Sequence, residues 1–217
     1  MWKNLTRAEL DAAYNNSKAV ENSAQIIQTW LESSATVKEQ SSYANDIPYG
    51  QENFPALDFY LANKAAPTIA FIHGGFWQMR SKNDFAFIVP TLIKNNLNVA
   101  MIGYRLAPKA TMDEIIGDVK KGIDTTVKFL QSQSFLRDSL WLVGWSAGGH
   151  LAVMQSHHPK VLGVTAISGI YDLEPMQYCY VNDLLRLDED SVKRNSPILL
   201  PLEPSKIIDI FVGLSLI

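Results

Sequence analysis

Histidine is scarce in this chain and stops early. Four occur among 217 residues, and none follows His158. Cysteine is scarcer still: Cys179 stands alone, so an intrachain disulfide is excluded, and a reducing, cytoplasmic location is expected. Neither sign of charge dominates, with 19 Lys and Arg against 22 Asp and Glu, which argues against nucleic acid or an anionic membrane as partner. No stretch approaches the roughly 18 apolar residues that a membrane span needs. The opening Met1-Trp2-Lys3-Asn4-Leu5-Thr6-Arg7 starts no apolar run of the kind a secretory signal requires. The glycosylation-type patterns Asn4-Leu5-Thr6 and Asn15-Asn16-Ser17 are therefore read as chance. Repeats, low-complexity tracts and linkers are absent too.

What remains is an ordinary globular composition, 47% hydrophobic and 19% charged, long enough to bury a sizeable core in one domain spanning 1–217. An N-terminal helical segment is expected over 1–35, opened by the capping box Thr6-Arg7-Ala8-Glu9. A core is expected over 40–217. Residues 41–61 hold short strand-like pieces broken at Pro48-Tyr49-Gly50. Thr68–Ile72 is a continuous apolar run suited to a strand buried on both faces. Helix is expected over 84–94 with a kink at Pro90, strand over 98–102, and a long amphipathic helix over 111–130 begun by Thr111. Strands then fall at 140–143, 161–167 and 207–212, with a helix from Gly148 to Met154. Such alternation predicts an α/β fold with a mostly parallel sheet flanked by helices.

Two motifs carry chemistry. Gly144-Trp145-Ser146-Ala147-Gly148 lies between a strand and a helix, which is the context of a nucleophile elbow. A sharp turn there sets the serine in strained backbone, and small neighbours avoid collision with the adjoining strand and helix. His73-Gly74-Gly75-Phe76-Trp77 follows the strand ending at Ile72. Its glycines let backbone N–H groups approach a carbonyl oxygen as negative charge develops. The expected oxyanion donors are Gly74 and Gly75 together with Ala147, the residue after the nucleophile.

On these motifs the chain resembles the α/β-hydrolases of the hormone-sensitive-lipase-like branch, to which Gly103-Tyr104-Arg105-Leu106-Ala107-Pro108 is also similar. Ser168-Gly169-Ile170-Tyr171-Asp172-Leu173-Glu174-Pro175, Arg194-Asn195-Ser196-Pro197 and Trp77-Gln78 narrow the resemblance to the kynurenine formamidases, over roughly residues 40–212. Related carboxylesterases share parts of these segments. The resemblance implies Ser146 as nucleophile and Gly74, Gly75 and Ala147 as the oxyanion hole, with no cofactor and no metal. It also implies a catalytic acid in the loop after a strand similar to 207–212, and a histidine in a later loop. With the chain closing at Ile217, both positions are expected to be missing, along with the last strand and helix.

The histidines that are present do not fill that gap in the sequence. His73 belongs to the glycine turn and is read as its brace. His150 sits one helical turn after Ser146, facing inward, and is read as a structural hydrogen-bonding group. His157 and His158 lie roughly 16–18 Å along a continuing helix, beyond the ~3 Å reach of a general base, and have no Cys or Asp at ligand spacing. Asp209 falls inside the last strand, and Asp188-Glu189-Asp190 reads as a helix N-terminus. Asp172 and Glu174 lie in a loop that could line the pocket.

Phe76, Trp77 and Tyr171 are candidates for an aromatic substrate wall. Tyr178 and Tyr180 either extend it or pack a cap. The expected function is hydrolysis of a small-molecule ester or N-formyl amide through an acyl-enzyme on Ser146. The alternative is a catalytically impaired hydrolase-like protein acting as a binding protein or a truncated product. The apolar run from Ile207 to Ile217 is expected to leave an exposed sheet edge through which copies of the chain associate.

Overall fold

A computed structural model describes residues 2–41, 43–50, 54–201 and 205–213. Among the described residues, seven strands form one sheet: β1 (Ala44–Pro48), β2 (Ala56–Tyr60), β3 (Thr68–Ile72), β4 (Asn98–Ile102), β5 (Leu140–Trp145), β6 (Val161–Ile167) and β7 (Ile207–Phe211). Their order across the sheet is β1-β2-β4-β3-β5-β6-β7. β2 runs antiparallel to β1 and β4, and every pairing from β4 to β7 is parallel. The apolar runs noted in the sequence become the central strands, and all five residues of β4 are buried.

The N-terminal segment is helical as expected but breaks into α1 (Arg7–Ala13), α2 (Asn16–Ala19) and α3 (Ser23–Ser41). Thr6 and Glu9 form the expected capping box. Thr111 and Glu114 form another at the start of α5 (Met112–Ser132). Pro90 does not kink a helix: a 3-10 stretch over Lys82–Ile88 leads into α4 (Val89–Lys94), where Pro90 stands in the first turn. Its missing N–H costs nothing there, because first-turn donors have no partner inside a helix. After β5 comes α6 (Ala147–Met154), and after β6 the short helices α7 (Asn182–Leu185) and α8 (Glu189–Asn195). Asp188 caps α8 through Ser191, as its charge pattern implied.

The larger apolar core lies on the sheet face under α5 and α6, joining Leu57, Ile72, Leu142 and Val164 to Ile115, Val119 and Leu151. A smaller cluster on the other face gathers Phe71, Phe85, Val89 and Met101, with Trp30 of α3 packed against it. A buried ion pair missed in the sequence joins Lys82 Nζ to Asp58 at 2.6 Å. Lys82 also bonds Asp46, so the 3-10 stretch is fastened to β2 and the β1 strand.

Candidate active site

Strand order fixes where chemistry can happen. From β3 the chain crosses to β4 on one side, while β5 lies on the other. A crevice opens at the carboxyl ends of strands where the winding reverses in this way. Ile72 pairs with Gly144 in the β3–β5 ladder, so the segments beginning at His73 and Trp145 emerge side by side. The two motifs, 73 residues apart from His73 to Ser146 (146 − 73), are neighbours in space.

Ser146 sits at the turn from β5 into α6 with φ 55° and ψ −121°, a region that costs backbone energy for a residue with a Cβ. The turn is tight enough to forbid side chains two residues to either side of the serine. A Cβ on Gly148 would fall 2.0 Å from the carbonyl oxygen of Ile72. One on Gly144 would fall 2.1 Å from the carbonyl oxygen of Gly148. On the facing segment, a Cβ on Gly74 would meet the Ser146 Cβ at 3.1 Å, so Gly74 lies directly against the serine. Gly75 has φ +118°, which glycine adopts at little cost. Among the described residues, the backbone N–H groups of Gly74, Gly75 and Ala147 donate to no other backbone group. Ala147, as the first residue of α6, has no acceptor within its helix. The Ser146 hydroxyl caps no helical N–H.

The histidines fall into two groups. His73 is buried, with Nδ1 2.8 Å from the Gly74 carbonyl and its ring stacked on Tyr104 at 4.1 Å. Tyr104 in turn donates its hydroxyl to the His73 carbonyl at 2.8 Å. Burial holds the His73 pKa down at about 4, because a charged ring loses its hydration there. His150 is fully buried as well. Its Nε2 lies 2.7 Å from the Asn195 carbonyl, and its Nδ1 accepts the Trp77 indole N–H at 3.2 Å. Burial holds its pKa at about 4 too. Both rings are therefore neutral, and their bonded nitrogens face carbonyls or an indole, not the serine.

The second pair lies past the end of α6, where the helix stops at Met154. His158 Nε2 bonds Asp124 at 2.9 Å. Asp124 sits on α5, an acidic partner that sequence spacing could not show. No group of three His, Cys, Asp or Glu that could hold a metal gathers among the described residues.

The aromatic residues expected to form a substrate wall take different places. Trp77 has 0% exposure and lies in the core with its N–H committed to His150, so its ring offers no surface to a substrate. Phe76 is half-buried and meets Tyr180 edge-on at 6.4 Å. Tyr171 is half-buried beside Gly169, with its hydroxyl enclosed and unbonded among the described residues. Tyr178 packs on Trp2 instead. Glu174 pairs with Lys3 at the surface, and Asp172 accepts the Glu174 N–H. Asp209 lies on β7, exposed.

Three site residues were not legible as such. Tyr104 pins the glycine turn from the segment just after β4. Arg105 anchors the Tyr104 segment through two bonds to Asp118, at 2.7 and 2.9 Å. Asn195 meets His150 from α8. Tyr104, Arg105 and Asn195 stood inside quoted segments, and that was their only signal.

The strand order and the serine at the switch point define an α/β-hydrolase fold. A family model described as BD-FAE matches residues 57–164. A kynurenine formamidase from Danio rerio is 31% identical over 216 residues, covering 90% of this chain and 71% of that protein. One from Salmo salar matches at the same identity and coverage. The chain belongs to the kynurenine formamidase family. Among solved structures, a thioesterase candidate from Silicibacter superposes with a TM-score of 0.83 at 23% identity, covering 94% of this chain and 80% of the other. An esterase from Pyrobaculum calidifontis superposes with a TM-score of 0.64 at 16% identity, covering 86% and 72%. Among the described residues no helix is long and apolar enough to cross a membrane.

Proposed function

We propose that this chain is a hydrolase of small esters or N-formyl amides that works through an acyl-enzyme on Ser146. One observation carries the reading. The strained Ser146 turn and the Gly74–Gly75 turn lie in contact, and the Ala147 N–H beside the serine has no backbone acceptor among the described residues. In this reading the Ser146 Oγ bonds to the carbonyl carbon, and the carbonyl oxygen takes negative charge. The N–H groups of Ala147 and of Gly74 or Gly75 hold that oxyanion. The bond to the alcohol or amine then breaks, the leaving group takes a proton from solvent, and water later frees the acyl group. Phe76 and Tyr171 flank the acyl or aryl portion, while Trp77 supports the turn from behind.

No imidazole among the described residues is placed to take the serine proton, so in this reading solvent hydroxide removes it. Two consequences follow. Activated esters with good leaving groups should acylate Ser146, while unactivated amides should react far more slowly. The acylation rate should climb with hydroxide and show no inflection between pH 6 and 8, because His73 and His150 titrate near 4. The lone buried Cys179 accords with a reducing, cytoplasmic setting.

The test is p-nitrophenyl acetate with mass spectrometry of the protein. An acetyl group on Ser146, absent in Ser146→Ala, is expected. Equal p-nitrophenol release by both proteins, with no adduct at residue 146, would overturn the reading. A second reading, ligand binding without turnover, is favoured by the same lack of a placed imidazole. It predicts stabilisation by an unreactive ester analogue and no product release.

A further inference from the structure

We propose that His150 is a positioning residue for acyl transfer, setting the Gly75 donor relative to Ser146 by holding Trp77. This inference rests on Ser146 and Gly75 acting as proposed above, and adds a residue that touches neither substrate nor reacting atoms.

Between Gly75 and Arg80 the chain has φ +118° at Gly75, 49° at Phe76, 59° at Trp77 and 72° at Arg80. Three of these are residues with a Cβ in left-handed geometry, which each would leave if nothing held it. Inside the turn, the Gln78 and Met79 N–H groups both donate to the Gly75 carbonyl at 3.0 Å, and three further bonds tie the turn to other segments. The Trp77 carbonyl accepts the Ala107 N–H at 2.9 Å. Gln78 donates its side-chain amide to the Val181 carbonyl. The Trp77 indole donates to His150 Nδ1 at 3.2 Å. Of the three, only the last connects the turn to α6, the helix that begins right after Ser146.

His150 is suited to the task because its two bonds define each other. The Asn195 carbonyl can only accept, so Nε2 must carry the proton. That leaves Nδ1 as a lone pair, which a donor-only indole requires. Burial keeps the ring neutral, so this tautomer persists across the pH range in which the protein would work. One side chain on α6 therefore fixes Trp77, and through it the aim of Gly75, relative to a nucleophile four residues back at the cap of the same helix. A displacement of about 1 Å in such a site costs on the order of 100-fold in rate.

Two substitutions separate the two bonds. In His150→Asn, the amide oxygen falls near the place of Nδ1, so the Trp77 bond can persist while the Asn195 bond is lost. In His150→Gln, the amide nitrogen falls near the place of Nε2, so the Asn195 bond can persist while the Trp77 bond is lost. Each loses one buried hydrogen bond, so their melting temperatures should fall by similar amounts.

Acylation of Ser146 by p-nitrophenyl acetate should fall at least tenfold in His150→Gln and less than threefold in His150→Asn, with KM little changed in both. Trp77→Phe should match His150→Gln, and the double variant should be no worse than either single one. Equal losses in the Asn and Gln variants, or losses that follow melting temperature, would overturn the proposal.

A second readout needs no acylation: the ¹⁵N amide resonance of Gly75 should move in His150→Gln and Trp77→Phe, and stay in place in His150→Asn. If wild-type Ser146 is never acylated, the Ser146 reading fails, and the Gly75 resonance alone decides the part played by His150. A resonance that ignores all three substitutions refutes it.

Discussion

Along β5, Leu140, Leu142 and Gly144 point to the face under α5 and α6 and are buried, whereas Trp141, Val143 and Trp145 point the other way and are half-buried. The contrast widens toward the edge. The β5–β6–β7 ladder places Trp145, Ile167 and Phe211 in one row. Ile167 and Phe211 are 37% and 58% exposed. The second face is covered by α3 and α4 with the stretch between Lys82 and Ile88, over β3 and β4, where Trp30 meets Trp145 edge-on at 5.6 Å. Beyond β5 that cover gives out among the described residues. Apolar side chains of the same type thus have opposite fates on one sheet, decided by which helices reach them and not by the strands themselves.

The largest effect should come from the enclosed interior, where His73 and His150 are buried with pKa values near 4. An unfolded imidazole titrates near 6.5, so between pH 6.5 and 4 the unfolded chain binds more protons and stability must fall as pH falls. The loss amounts to about 3 kcal/mol per ring by linkage and levels off below pH 4. Urea midpoints measured from pH 7.5 to 4 test this. A flat profile would mean that the rings are not enclosed as described.

Next comes a direct comparison of the faces. Leu142→Ala on the covered side should cost about 2–5 kcal/mol, and Phe211→Ala on the open side no more than about 0.5 kcal/mol. Chemical denaturation of both variants settles the point, and similar losses would show that β7 is covered in solution.

Between these extremes lies Gly148→Ala. Its Cβ would collide with the Ile72 carbonyl, so β3 or α6 must shift, at about 1–3 kcal/mol. Acylation of Ser146 should fall further than that loss of stability explains, because the shift separates the two turns. A variant with normal acylation would break the link between turn geometry and chemistry.

The smallest effect concerns association. An exposed apolar edge strand invites pairing with another copy. Phe211→Lys should lower any concentration-dependent self-association seen by sedimentation velocity, while moving the urea midpoint very little. Unchanged sedimentation of a self-associating protein would place the contact elsewhere.

Sequence and structure divided the work unevenly. Thr6 and Thr111 announce their helices because capping is local: the box at Thr6 spans four residues. Glycines around Ser146 announced a tight turn for the same reason. Trp77 reads in the sequence as part of a substrate wall, because an aromatic residue after a glycine turn carries no mark of which way its ring points. Pro90 reads in the sequence as a kink, because a 3-10 stretch and an α-helix share apolar spacing over so few residues. Asp124 beside His158, and Asp58 beside Lys82, were invisible, since partners 34 and 24 residues apart meet only when strands and helices are laid side by side.

By itself the sequence determined the α/β alternation, the strand–turn–helix around Ser146 and the glycine turn after β3, all set by short-range sterics and hydrophobic periodicity. Tertiary structure alone decided that these two turns touch, because the β3–β5 register is a long-range pairing. It alone decided that His150 spends both nitrogens on Trp77 and Asn195 and is no base for Ser146. The outcome for each imidazole was fixed by burial and by partners from distant segments, which no local pattern encodes.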